Sequence, residues 1–205
     1  MAGEIAHVIY GARILAHVGD SVSHPSYWVG ILFPDIYRIE RTSRFPTHPG
    51  SVRLSTLVGN NDFITGLRVH SWIDDTREAY LREHRVFEKL PWHPLLPFAF
   101  ELFEDELLYS SYQDWNLIFR ALSFIHPDEE RIIHSKLHIQ AWHSLLQQYC
   151  KHAPTDESRR EFMENLEISN QTANEVNHII ATLRSNPAAK KILEEYIHSI
   201  EHMLL

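Results

Sequence analysis

The chain has a single cysteine, Cys150, in 205 residues. No internal disulfide can form, which suits a reducing compartment. No apolar run approaches the ~20 residues of a membrane span. No stretch alternates polar and apolar residues between hairpin turns, which argues against a sheet. There is no internal repeat and no low-complexity segment. Positive charge is in deficit. A formal net charge of −8 disfavours non-specific binding to duplex nucleic acid or to an anionic membrane. The opening MAGEIAHVIYGARILAHVG carries Glu4, His7 and Arg13 inside its apolar run, so it does not read as a signal peptide. The expectation is a cytoplasmic protein with no transmembrane segment.

What is present reads as helix. Ile5, Val8, Ile9, Ala12 and Leu15 share one side of a segment from Ala2 to Val18 that Gly19 and Asp20 end. A short apolar segment, Tyr27 to Phe33, runs into Pro34-Asp35. Thr42 to Leu57, with Pro46, Pro49 and Gly50, reads as irregular. Asn60-Asn61-Asp62 caps a central helix over Phe63 to Leu81, running on to about Leu90. Further helices are expected over Phe98–Tyr109, Trp115–Phe124 and from Pro127 to about His152, the last with acidic residues in its first turn. After the break at Ala153-Pro154-Thr155 come Asp156–Leu166, Gln171–Arg184 and Pro187–Leu205. The expected fold is all-α: a metal-binding helical domain over 1–152, with a C-terminal helical extension over 153–205 packed on it. The amphipathic stretch Ala188 to Leu205 suits either intramolecular packing or a homodimer face.

Histidine is abundant, 15 in all. In FITGLRVHSWIDDTREAYL, His70 and Asp74 are four apart and share a helix face. The neighbours on that face are mostly apolar, and a buried carboxylate needs a partner, for which a metal ion suffices. The alternative is a hydrogen-bonded His–Asp pair within the helix. Upstream, WVGILFPDIYR leads straight to Asp35, and His48 follows in FPTHPG. Two ligands from a helix and two from a turn and a loop make a four-ligand site: Asp35, His48, His70 and Asp74.

These residues resemble the signature of the zinc-dependent phospholipase C family, which is related to fungal single-strand nucleases. The matching pattern is an early histidine (His7), a Gly-x-x-x-Pro-Asp-Ile turn (Gly30 to Ile36), a later histidine (His48), and Gly-x-x-x-His-x-x-x-Asp on a helix (Gly66, His70, Asp74). It covers roughly residues 2 to 85. The resemblance implies a helical fold with a zinc cluster at one end. One zinc is implied on Asp35, His48, His70 and Asp74. A second is implied on His7, a terminal amine and a bridging Asp74. The family members with a terminal-amine ligand begin, after processing, at a tryptophan, whereas this chain starts Met1-Ala2. The family's third zinc has a weaker counterpart here. His126 and Glu130 flank Pro127, and Glu130, His134 and His138 are spaced four and four.

The implied activity is metal-dependent hydrolysis of a small phosphoester, phospholipid or nucleotide-like substrate. Zinc lowers the pKa of bound water to ~7, and paired metals clamp a phosphate. Imidazole and carboxylate ligands also admit other divalent metals. Asp35 is the candidate catalytic carboxylate, as ligand or general base. Arg38, Arg68 and Arg77 are candidate flanking cations. His17 suits the end of its helix, Trp28 and Trp72 suit the core, and Cys150 suits simple packing. A metal hydrolase of the His…His-Asp…Asp kind is disfavoured because the chain has no His-Asp dipeptide. The contrasting class is a non-catalytic helical scaffold or binding protein with a degenerate metal site.

Overall fold

The computed structural model describes residues 1–17, 25–41, 47–48, 50 and 52–204. In chain order come α1 (Glu4–His17), α2 (Pro25–Leu32), a 3-10 turn (Pro34–Ile36), α3 (Tyr37–Glu40), α4 (Asp62–Glu83), α5 (Leu96–Leu108), α6 (Trp115–Ala121), α7 (Pro127–Ile132), α8 (Lys136–Tyr149), α9 (Asp156–Asn165), α10 (Asn170–Arg184) and α11 (Pro187–Met203). Short 3-10 turns join some of them, and there is no strand among the described residues. The all-α expectation therefore holds. Among the described residues no helix is long and apolar enough to cross a membrane. The helix stop at Gly19 and Asp20, His24, the side chain of His17 and the loop prolines Pro46 and Pro49 lie outside the described residues.

Local chemistry sets the helix ends. Asn61 accepts from the Ile64 N–H at 2.8 Å and starts α4. That helix stops at Glu83 and does not continue to Leu90. Arg85 takes a left-handed φ of 50°, and the reversal buries Val86 completely. The single helix expected from Pro127 to His152 is two. Ile133 is extended and buried, and Ser135 accepts from the His138 N–H to begin α8. Burial of Ile133 and a serine cap outcompete continued helix.

α2 and α4 pack backbone to backbone. A Cβ on Gly30 would lie 2.2 Å from the Phe63 carbonyl oxygen, and one on Gly66 2.3 Å from that of Tyr27. No larger residue fits at either position without moving a helix. α10 packs on α5, α9 and α11. The fully buried Arg159 ties this region down, donating to Glu106 at 2.7 Å and Asn177 at 2.9 Å. Arg184 also reaches Glu106, at 2.7 Å. The apolar side of α11 is turned into the chain. Ile192, Leu193, Tyr196, Ile200 and Leu204 are buried, and Tyr196 packs against Tyr10 and Tyr80. Cys150 is buried, and burial pushes its thiol well above the usual range. Trp28 and Trp72 are in the core.

The core is unusually rich in acids. Asp105 accepts from the Ala6 N–H at 2.8 Å and from the Tyr149 hydroxyl at 3.1 Å. Burial, ahead of those bonds, moves its carboxyl from 3.8 to about 7. A carboxyl raised on folding binds its proton more tightly folded than unfolded. Stability therefore falls as pH rises from 3.8 to about 7 and levels off above. Asp105→Asn is expected to flatten that part of the melting-temperature profile. An unchanged slope between those limits would show that the proton sits elsewhere.

Candidate metal centre

Three elements meet at the end of the α2–α4 contact. Gly66 lets α2 approach closely, and one turn later His70 donates from Nδ1 to the Ile31 carbonyl at 2.8 Å. Just past α2, Pro34 starts the 3-10 turn that holds Asp35, which is fully buried. Thr47 ties the following loop to this turn. Its hydroxyl donates to the Pro34 carbonyl at 3.0 Å and lies 3.0 Å from His48 Nδ1. From α1, His7 donates from Nδ1 to the Gly3 carbonyl at 2.9 Å. Its ring stacks on His70 with centroids 3.9 Å apart and planes 4° from parallel.

These bonds fix the tautomers. A carbonyl only accepts, so His7 and His70 carry their hydrogen on Nδ1. The Thr47 hydroxyl has given its hydrogen to Pro34, so it accepts from His48 Nδ1. In His70 the Nε2 lone pair is thus left to face the site. This is the outer-shell arrangement that orients metal-ligating histidines.

The donors converge. His48 Nε2 and His70 Nε2 are 3.2 Å apart. His48 Nε2 is 3.7 Å from Asp35 Oδ1 and 3.9 Å from Asp74 Oδ2. His70 Nε2 is 4.0 Å and 3.6 Å from the same two oxygens. Asp35, His48 and His70 each have one donor atom within 4.8 Å of the others, and so do His7, His70 and Asp74, so the site comprises two overlapping trios of possible ligands that share His70. The other oxygen of Asp74, Oδ1, faces away, 3.4 Å from His7 Nε2. It also accepts from the Ala2 N–H at 2.8 Å.

Electrostatics fit the same geometry. Burial, then the charge of His7, pushes His70 down to about 3, so the ring is neutral at ordinary pH, as a ligand must be. Burial pushes Asp35 up, but Arg38, 3.5 Å away, and the nearby histidines hold it below its usual value. Burial likewise opposes ionisation of Asp74, and His7 outweighs it. Both oxygens of Asp35 and Nε2 of His7 are buried without a hydrogen-bond partner. Buried polar atoms are rarely left so, and a cation answers all three.

The structure thus brings together Asp35, His48, His70, Asp74 and His7. It does not bring Glu130, His134 and His138 together. The break between α7 and α8 separates them, Glu130 pairs with Lys136, and His138 pairs with Glu40 at 2.8 Å. His126 caps α7 and stacks on Phe63, and His84 packs on Tyr80. Of the flanking arginines, Arg38 and Arg77 are close to the site, whereas Arg68 donates to the Thr56 and Val58 carbonyls. Glu4 went unnoticed in the sequence because an acid in a helix's first turn is ordinary. Its spacing of three from His7 was the available signal.

Gly66→Ala is expected to force α2 from α4 and to cost about 1–3 kcal/mol, the usual range for overpacking. It should also weaken divalent-metal binding, because His70 rides on the displaced turn. Chemical denaturation and metal titration read the two effects, and an alanine variant of wild-type stability would show that the helices are not in this contact.

No family model matches the chain, and no curated protein or solved structure matches it.

Proposed function

We propose that this protein is a metal-dependent phosphoric ester hydrolase of the zinc-dependent phospholipase C type. The observation that carries this reading is the convergence of three histidine Nε2 atoms and two carboxylates in the interior. Asp35, His48, His70 and Asp74 hold one divalent ion. Asp74 presents its second oxygen toward His7, as a carboxylate bridging two ions would. Such ions supply a water nucleophile at neutral pH and a Lewis acid for a phosphoryl oxygen.

The chain's own residues supply the rest. Asp35, which accepts no hydrogen bond, orients the attacking water and takes its proton. A cavity of about 650 Å³ reaches Arg38, which stands 3.5 Å from Asp35, and is lined by Arg77, Arg82, Arg85, Leu81 and Phe98 together with Glu78, Glu88 and Glu101. Arg38 Nε and Arg77 Nη2 have no acceptor within the protein. Guanidiniums with spare N–H groups bind phosphate oxygens, and the apolar wall accommodates an organic leaving group.

One observation favours the second reading, a non-catalytic scaffold with a structural ion. The first ion's four donors form a closed set, and His70 and Asp35 are fully buried, whereas catalytic zinc keeps an open position. Metal analysis of untagged protein together with a phosphodiesterase assay separates the readings. About one or more equivalents of metal with hydrolysis supports the enzyme, metal without hydrolysis supports a scaffold with a structural ion, and no metal, with no loss of stability on chelation, refutes the enzyme and supports a scaffold with a degenerate site. Asp74→Asn and His70→Ala are each expected to lower metal affinity by at least ~10-fold and to lower hydrolysis with it.

A further inference from the structure

The outer side of α11 carries a second group of histidines. His198 and His202 are four apart, so they sit one above the other on one helix face. Both are exposed. Their Nε2 atoms stand 3.0 Å apart, with ring centroids 4.4 Å apart and planes at 84°. Without an ion, one ring must carry its hydrogen on Nε2 and donate it to the other. That bond lies in water, where it gains little over hydration. The same separation lets both nitrogens bind one ion. At ~2.1 Å from a common centre they subtend close to a right angle, as neighbouring ligands of a tetragonal ion do.

The surroundings favour a cation. His198 and His202 line a groove of about 800 Å³ between α4 and α11, together with Glu83, His84, Glu195 and Met203. No lysine or arginine lines it. Lys191 pairs with Glu195 at 3.6 Å but is not part of the lining. Glu201, held by Arg13 at 2.9 Å, has its other oxygen 3.9 Å from His198 Nδ1. A carboxylate on that side favours the hydrogen on Nδ1, which leaves Nε2 as the ligand atom. The helix is anchored by its buried residues Ile192, Leu193, Tyr196, Ile200 and Leu204, so the two rings stand on a fixed support.

We infer that His198 and His202 form a surface site for a divalent transition-metal ion, separate from the buried centre. The two imidazoles hold the ion and water fills its other positions. Among the described residues no third histidine, cysteine or carboxylate donor lies within 4.8 Å of both. Imidazole donors select the later first-row metals, Cu²⁺ most strongly, over Mg²⁺ and Ca²⁺, which prefer oxygen. An ion that bridges successive turns binds the folded helix and not the unfolded one, so it also stabilises the end of α11.

The test is calorimetric titration of the untagged protein with Cu²⁺, read together with electron paramagnetic resonance, on the wild type, His198→Gln and His202→Gln. Both positions are exposed and glutamine is a good helix former, so the variants keep the helix. The buried centre is the same in all three proteins. Whatever it binds cancels in the comparison, and the result leaves the proposed function untouched. The expected result is one more equivalent bound by the wild type than by either variant at the same free Cu²⁺, with coupling to two nitrogens in the spectrum of that equivalent. Equal binding by all three proteins overturns the proposal. Loss in one variant alone also overturns it, because a single histidine then suffices.

Discussion

Two backbones in contact organise this protein. Gly30 and Gly66 let α2 and α4 touch where any side chain would collide with the opposing main chain. From that contact the site follows by short steps. The next residue of α2, Ile31, offers its carbonyl to His70, one turn beyond Gly66. The next turn past α2 carries Asp35. The 4.0 Å between His70 Nε2 and Asp35 Oδ1 is therefore set by how closely the two helices approach. A glycine pair placed this way serves position more than flexibility, because close packing leaves little slack to absorb an added methyl.

The second constraint is charge. α1, α4 and α5 bury more carboxyls than guanidiniums, and an isolated buried charge is very costly. Arg38 with Glu101 and Arg77 with Glu104, each at 2.6 Å, offset part of that cost. The remaining acids divide into two groups. Burial raises Asp105 and Glu101, which favours their neutral forms. Asp35 and Asp74 are held low and stay ionised. Glu4, beside Asp35, belongs with the raised group, so the low values of Asp35 and Asp74 come from Arg38 and the histidines against them and not from position in the interior.

Much of the fold was legible because burial leaves a period. α1, α10 and α11 were readable from apolar stripes, and the first turn of α7 from its proline and acids. The break between α7 and α8 was not, since Ser135 looks like any helical serine until Ile133 is known to be buried. The stop of α4 was hidden for a similar reason. Nothing near Arg85 announces a left-handed residue, and it is tertiary burial of Val86 that turns the chain. For the candidate site, the helical spacing of His70 and Asp74 and the proline turn at Asp35 pointed to proximity. Which oxygen faces which nitrogen, and the openness of Glu4, depend on contacts between residues up to about seventy positions apart, as between Ala2 and Asp74. No local pattern records those.

The histidines show how the arrangement resists collapse. His48 Nε2 and His70 Nε2 stand 3.2 Å apart, a contact that holds only while both rings keep their orientation. Left alone, such a pair would rotate or protonate. Rotation is opposed because each ring is held from behind: His70 by the Ile31 carbonyl, His48 by Thr47, and His7 by Gly3 and by stacking on His70. Protonation of His70 is opposed by burial. His48 lies on a loop, yet Thr47 fastens it to the Pro34 carbonyl, beside Asp35. The loop ligand and the turn carboxylate therefore move as one body. The geometry stands without an ion, so the ion proposed for this site would not have to order it, which is how preorganisation converts stability of the fold into affinity.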